Sequence, residues 1–536
     1  MVTGAGTLRI GGPAAMGALH KPNPWLITIV VSIATFMEVL DTTIANVALP
    51  YIAGGLAISA DEASWVVTTY LVSNAIILTA SSFLAKKFGR RPFYLCCVLL
   101  FTISSVLCAI AWSFQSLLLF RILQGLGGGG MVPVSQSILA DAFPPEKRGQ
   151  GFALFGVAIV VAPVVGPTLG GWLSDNYGWE WCFLINAPVG LLSMALAYFI
   201  IPRSSAEERE VQKKDAGRFD TIGFVLVATF LGSLEIVLDR GQEDDWFGSS
   251  FIITFTVICA LAFILMIPWE VAQRNPVIDL RMLATRQFGA CFLVMMAAGA
   301  ILLATTQVLP QLVQSQFGYT ATWAGLVLSP GGVVTMGMMV VVGWLAGFIQ
   351  PKYLIASGAA ISAWAMYGLT NIYADVNFSF FAWSRIHLGI GLPLIFIPII
   401  TASYYGIPPN KTDQASAIIN AARNIGGSIG ISLAANVLVF REQFHQNRLI
   451  ETVVPSNVQY QQTLQSVTNY FTSQGSSLIQ AQQQAFAWIG QQVETQAALL
   501  AYIDVFWVLM IVSLAAVPLA LMLRKIKMLA APTIAH

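Results

Sequence analysis

Charge is what this 536-residue sequence has least of: only 10% of residues are Asp, Glu, Lys or Arg, and 56% are hydrophobic. A water-soluble domain of this size needs a far more charged surface, so a soluble fold is excluded and a polytopic membrane protein is implied. The formal net charge is +1, which gives no global field for nucleic acid or an acidic partner. Histidine is scarce, with four residues, and the six cysteines (Cys96, Cys97, Cys108, Cys182, Cys259 and Cys291) all fall in apolar runs without a CxxC pair. Neither a disulfide scaffold nor a zinc site is supported. There is no HExxH and no nucleophile elbow, and Gly127-Gly128-Gly129-Gly130 lacks the Lys-Ser/Thr that a phosphate loop needs. An enzyme, a metal centre and ATP use are therefore not expected.

Stretches of about 20 apolar residues suit helices that cross a bilayer. Fourteen can be counted, the first at 25–47, the thirteenth at 415–440 and the last at 501–523. With the N-terminus placed in the cytoplasm, 21 of the 27 Lys and Arg fall in inner segments, three in outer segments and three within helices. That asymmetry is a strong positive-inside signal and puts both termini in the cytoplasm. The chain also repeats itself: Arg121-Ile122-Leu123-Gln124-Gly125-Leu126-Gly127 recurs 264 residues later as Arg385-Ile386-His387-Leu388-Gly389-Ile390-Gly391. Two parallel six-helix halves follow, at 25–201 and 287–523, separated by a cytoplasmic linker and two inserted helices at 202–286. Residues 1–24 and 524–536 are read as cytoplasmic tails. Parallel halves with a site between them suit a secondary transporter.

The most informative stretch is Phe36-Met37-Glu38-Val39-Leu40-Asp41-Thr42-Thr43, inside the first apolar run. An Asp at a membrane helix centre costs roughly 2.5–3.5 kcal/mol on insertion scales. Glu38 and Asp41 are three apart and share a helix face. Two acids so close in a low dielectric cannot both ionise cheaply, so the pair is a candidate proton-binding device. The blander alternative is that both acids shape a water-filled vestibule. Arg121, in the fourth stretch, must be paired or hydrated, and either answers these carboxylates or forms a fixed ion pair. Thr42, Asn46, Trp65, Tyr70, Asn74 and Gln124 are candidate cavity residues by position. At the position equivalent to Asp41-Thr42-Thr43 the second half carries Ala304-Thr305-Thr306, so proton chemistry belongs mainly to the first half. Gly166 and Gly170 are spaced for close helix contact, and Pro163 and Pro167 allow bending.

These motifs resemble the major facilitator superfamily, and within it the 14-helix drug:proton antiporters of the EmrB type. Leu40-Asp41-Thr42-Thr43-Ile44-Ala45-Asn46-Val47-Ala48-Leu49-Pro50 is similar to the first-helix signature of that group, and Leu119-Phe120-Arg121-Ile122-Leu123-Gln124-Gly125 to its fourth-helix motif. Pro163-Val164-Val165-Gly166-Pro167-Thr168-Leu169-Gly170-Gly171 is similar to its antiporter motif, which makes Pro163, Gly166, Pro167, Gly170 and Gly171 a gate-shaping set. In Ser82–Arg91, Ser82, Lys86 and Lys87 replace residues of the superfamily's usual loop pattern, so only a topology-fixing role is assigned to its cations. The resemblance implies an all-α membrane fold with two six-helix halves and two inserted helices. It also implies a proton-driven multidrug efflux antiporter of the bacterial inner membrane, with Asp41, Glu38 and Arg121 in proton coupling. Export of a dedicated metabolite (a siderophore or fatty acid), or a non-transporting membrane anchor, are the rival functions. Between the last two spanning stretches, 441–500 is Gln-rich. It places Leu464, Val467 and Phe471, and then Phe486, Ile489, Val493 and Leu500, at helical spacing on either side of Gly475, which predicts a pair of amphipathic helices. Resemblance names their partners as a periplasmic membrane-fusion (EmrA-like) protein and a TolC-like outer-membrane channel.

Overall fold

A computed structural model describes residues 23–144, 147–203, 210, 219–273, 276–373, 375–408 and 411–525. The two tails therefore lie almost wholly outside the described residues, as does most of the linker at 204–218. The described chain is helical: α1 Pro24–Leu56, α2 Ala60–Phe88, α3 Arg90–Ala109, α4 Phe114–Ala142, α5 Arg148–Asn176, α6 Glu180–Ile200, α7 Thr221–Arg240 and α8 Ser250–Ala272. There follow α9 Arg286–Phe317, α10 Ala321–Leu345, α11 Pro351–Leu369, α12 Phe378–Ser403, α13 Thr412–Ile450, α14 Val458–Ser473 and α15 Leu478–Leu521. Thirteen of these are long and apolar enough to span a bilayer. The 19-residue α11, packed between α12 and α15, is the fourteenth span. Helices dominate because in lipid every backbone N–H and C=O must be satisfied within its own segment.

Helix ends follow the sequence chemistry. Asn23 caps α1 ahead of Pro24, Ser59 and Glu62 form a capping box on α2, and Ser477 and Gln480 form another on α15. Small residues then set the spacing between helices. A Cβ on Gly166 would overlap the Thr43 side chain of α1, and one on Gly430 would lie 2.5 Å from the Ala300 Cα of α9. Thus α5 presses on α1 and α13 on α9, the same arrangement in each half. The inserted α7 and α8 pack on each other, and α7 rests on α2 and α13. Helix α8 keeps Ile253, Val257, Leu261, Ile264 and Leu265 exposed, as a lipid-facing helix should.

The two halves meet along α5 and α10, where Val164 fills the space above Gly332 and Ala153 the space above Gly343. They also meet at the face that carries the termini. There Asn420 of α13 donates to Gln136 of α4 at 2.8 Å, and Ser416 donates to the Pro133 carbonyl at 2.9 Å.

The segment 441–500 departs from expectation. Only α14 is a separate helix; α13 runs on to Ile450, and Phe486, Ile489 and Val493 lie on the N-terminal extension of α15. Neither turn chemistry nor proline interrupts the chain between 412 and 450 or between 478 and 517, so each helix continues past the bilayer. At 1.5 Å per residue, 39-residue α13 and 44-residue α15 reach roughly 58 and 66 Å, about twice the hydrocarbon thickness. The turn between α14 and α15 uses Gly475 at φ +95°, a conformation that side chains resist. Ala481, Ala485 and Ile489 are buried and Leu464, Val467 and Phe471 half-buried where α14 packs on α15, while Leu478, Ile479 and Phe486 stay exposed.

The α9–α13 contact yields a direct test. Gly430→Val should destabilise the detergent-purified protein by about 1–3 kcal/mol or more, because the new side chain meets backbone rather than a movable group. An unchanged unfolding temperature would show that the two helices are not so closely packed.

Candidate functional site

Asp41 sits in the middle of α1 and is 1% exposed; Arg121 on α4 is fully buried. Gly125, one turn beyond Arg121, allows this: a Cβ there would lie 2.5 Å from the Tyr70 carbonyl, so only glycine lets α4 lie against α2. Arg121 Nη1 donates to Asp41 Oδ2 at 2.6 Å and to Gln124 Oε1 at 2.8 Å, while Nε donates to the Val66 carbonyl at 2.9 Å. The other carboxylate oxygen, Oδ1, accepts from Gln124 Nε2 at 2.8 Å and from Asn186 Nδ2 at 2.7 Å. The guanidinium lies over the rings of Tyr70 and Phe183, 4.4 and 5.4 Å from their centroids. Arg121 Nη2 is enclosed without a hydrogen-bond partner. The carboxylate is therefore met by one cation and two amide donors.

Glu38, one turn away and 7% exposed, is held differently. Its Oε1 accepts from Asn74 Nδ2 at 3.1 Å, and its Oε2 is buried with no hydrogen-bond partner. The Tyr70 hydroxyl lies 3.5 Å from Asn74 Nδ2, so Tyr70 bridges the surroundings of the two acids. From the other half, the charge of Arg423 on α13 acts on Glu38. Arg423 bonds to its neighbour Asn424, while Asp504 takes Arg441 and His445. Glu235 of the inserted α7 also reaches across, accepting from Ser428 of α13 at 2.8 Å.

The cluster thus gathers Asp41, Glu38, Arg121, Tyr70, Asn74 and Gln124. Thr42 is half-buried beside it, with its hydroxyl bonded to the Glu38 carbonyl at 3.3 Å. Asn46 and Trp65 are not brought in. Asn46 is exposed a turn beyond Asp41, and Trp65 turns towards the inserted pair, edge-on to Phe251 and under the Arg240 guanidinium. The reason is register: Trp65 lies five residues before Tyr70, and that side of α2 is covered by α7. Gly166 and Gly170 meet Thr43 and Ile44, so the α5 motif abuts the acid-bearing turn of α1; Gly171 lies near Val47, and Pro163 and Pro167 fall inside α5.

Sequence reasoning missed Asn186, although a lone Asn inside the sixth apolar run was a visible signal. It also missed a latch at the terminal face. Arg90 makes a bidentate contact with Asp413 in the first turn of α13, at 2.9 and 3.1 Å, and a further bond to Asp141 at the end of α4. The loop at 82–91 therefore ties the halves together as well as carrying topology-setting charge.

Residues 31–431 match the Major Facilitator Superfamily. The chain belongs to that superfamily. It is 36% identical to the multidrug export protein EmrB of Escherichia coli (strain K12) over 483 residues, 90% of this chain and 92% of that one. It is 34% identical to the fatty acid resistance protein FarB of Neisseria gonorrhoeae, over 84% of this chain and 87% of that one. The solved structure of the human organic anion transporter MFSD10 superposes with a TM-score of 0.57 at 12% identity, covering 92% of this chain and all of that one, which supports the fold. This superfamily member is an EmrB-like transporter and not an enzyme.

Removing one partner of a buried ion pair leaves an uncompensated charge, at a cost of about 3–5 kcal/mol. Asp41→Asn should therefore lower the unfolding temperature of the purified transporter, and Asp41→Asn with Arg121→Gln should recover most of the loss. Equal losses in the single and double variants would mean that the pairing is not what the two residues contribute.

Proposed function

We propose that this transporter is a proton-driven multidrug exporter of the bacterial inner membrane, with cytoplasmic termini, releasing hydrophobic toxic compounds towards the periplasm. The observation that carries this reading is the buried Asp41–Arg121–Gln124–Asn186 cluster. A proton arriving on Asp41 cancels its attraction for Arg121 and turns an acceptor-only carboxylate into a donor. The helices that hold the pair, α1 and α4, then lose the charge that binds them, and α5 transmits this through its contact with the acid-bearing turn of α1. The two halves, 25–201 and 287–523, rock about this centre with 202–286 as an inserted unit. Glu38 provides a second acid on the same face. Opening to the cytoplasm requires release of the Arg90–Asp413 latch.

The extended α13 and α15 with α14 form the docking element for a periplasmic membrane-fusion (EmrA-like) protein, which would lead to a TolC-like outer-membrane channel. Exposed Leu478, Ile479 and Phe486 provide the apolar contact. The relative named for fatty acid resistance supports a narrower reading, a dedicated exporter of amphipathic acids, and a substrate panel in a deletion strain separates the two.

Inverted membrane vesicles with an imposed pH gradient test the proton claim. Wild type should accumulate a hydrophobic fluorescent dye in a gradient-dependent manner, and Asp41→Asn should lose that dependence. Equal flux in both would move the role to Glu38; no flux in either would defeat the exporter reading. The latch has its own readout: Asp413→Asn should raise the labelling rate of a Ser416→Cys probe by a membrane-impermeant thiol reagent, added from the terminal side, by about tenfold. An unchanged rate would show that the ion pair does not hold that face closed.

A further inference from the structure

The second half carries an arginine without an acid. Arg385 occupies on α12 the place that Arg121 occupies on α4, and it is 6% exposed. Thr305, in the position equivalent to Thr42, accepts from its Nη1 at 3.3 Å. Its Nε is buried with no hydrogen-bond partner, and none of the ion pairs among the described residues includes it. Three other arginines are answered by acids: Arg121 by Asp41, Arg90 by Asp413 and Asp141, and Arg240 by Glu243 and Asp244. An arginine cannot shed its charge by losing a proton, so Arg385 stays cationic in a low-dielectric place.

Arg385 lines a narrow cavity of about 10 Å3, room for about one water in the described conformation. Its walls come from both halves: Pro163 and Val164 of α5, Leu302 of α9, Gly332 of α10, and Leu388 and Leu392 of α12. Besides the guanidinium, Thr306 and Thr335 are the polar side chains in its wall. Gly332 has no side chain to fill the seam, and a Cβ there would meet Val164. The seam belongs to α5, the helix whose Gly166 and Gly170 pack on Thr43 and Ile44 in the turn that follows Asp41.

We propose that Arg385 is an anion-recognition point on the substrate path. Its Nε edge takes the carboxylate of an amphipathic acid while the apolar body lies against Val164, Leu302, Leu388 and Leu392. A guanidinium fork matches a carboxylate in shape and charge, and the small cavity fits a headgroup subsite that enlarges when α5 and α10 part. As a statement about transported substrates, the inference rests on the exporter reading; as a binding site it stands apart from it.

Two probes of like body and opposite charge test this: 2-naphthoate and (2-naphthyl)trimethylammonium, measured for equilibrium binding to the full chain in nanodiscs. Wild type should bind the carboxylate more tightly, and Arg385→Gln should weaken it about tenfold or more while leaving the ammonium unchanged. Arg385→Lys, which keeps the charge but not the fork, should bind the carboxylate less tightly than wild type and more tightly than Arg385→Gln. Because Arg385→Gln removes an unanswered charge, the variant should remain monodisperse, and the ammonium probe reports its integrity. Equal binding of the two probes by wild type, or undiminished carboxylate binding by Arg385→Gln, would overturn the site. Charge-selective binding without proton-driven flux in wild-type vesicles would uphold the site and defeat the exporter reading; dye flux with no carboxylate preference would do the reverse.

Discussion

A carboxylate and a guanidinium that share the interior of a membrane protein are bound to each other by the lack of anything else. Neither Asp41 nor Arg121 reaches water, and the low dielectric that makes each costly alone makes their attraction strong. The remaining donors and acceptors around them, Gln124, Asn186 and the Val66 carbonyl, are placed to complete that pair. Four helices, α1, α2, α4 and α6, are thereby tied at one point. In the proposed mechanism a single proton on Asp41 changes how all four are held.

The internal repeat gives this point its contrast. Both halves place an arginine at the same turn of the same helix and a threonine opposite it, yet only the first half supplies an acid. One copy pairs its arginine with an acid, and the other has an arginine without an acid beside the seam between halves. The duplicated frame thus separates two electrostatic tasks, while α5 touches both places. At the terminal face, Arg90, Asp413 and the Gln136–Asn420–Ser416 contacts hold the halves together and set which side is closed.

Much of this was legible in the chain. The apolar runs, the two halves, the inserted pair and the acid-bearing stretch follow from composition, repetition and the cost of a charge in lipid. The pairing of Asp41 with Arg121 was legible as a need, since each required a partner. What could not be read was register across helices. Trp65 is near Tyr70 in sequence but turns to the inserted pair, because α7 covers that side of α2. Arg423 bonds to Asn424 rather than to Asp504, which Arg441 and His445 occupy. The extensions of α13 and α15 escaped an analysis by apolar runs, since hydrophobicity falls at 440 and returns only near 501 while the helical backbone continues through both boundaries.

Proton exchange at Asp41 is the centre of the account, and proton release on substrate binding measures it most directly. The detergent-purified protein in weakly buffered solution, with a pH-indicator dye, would be mixed with a hydrophobic cationic drug near neutral pH. The account predicts that drug binding releases protons from wild type and that Asp41→Asn binds the drug while releasing fewer. Release of equal size from both proteins would contradict the assignment of the coupling proton to Asp41.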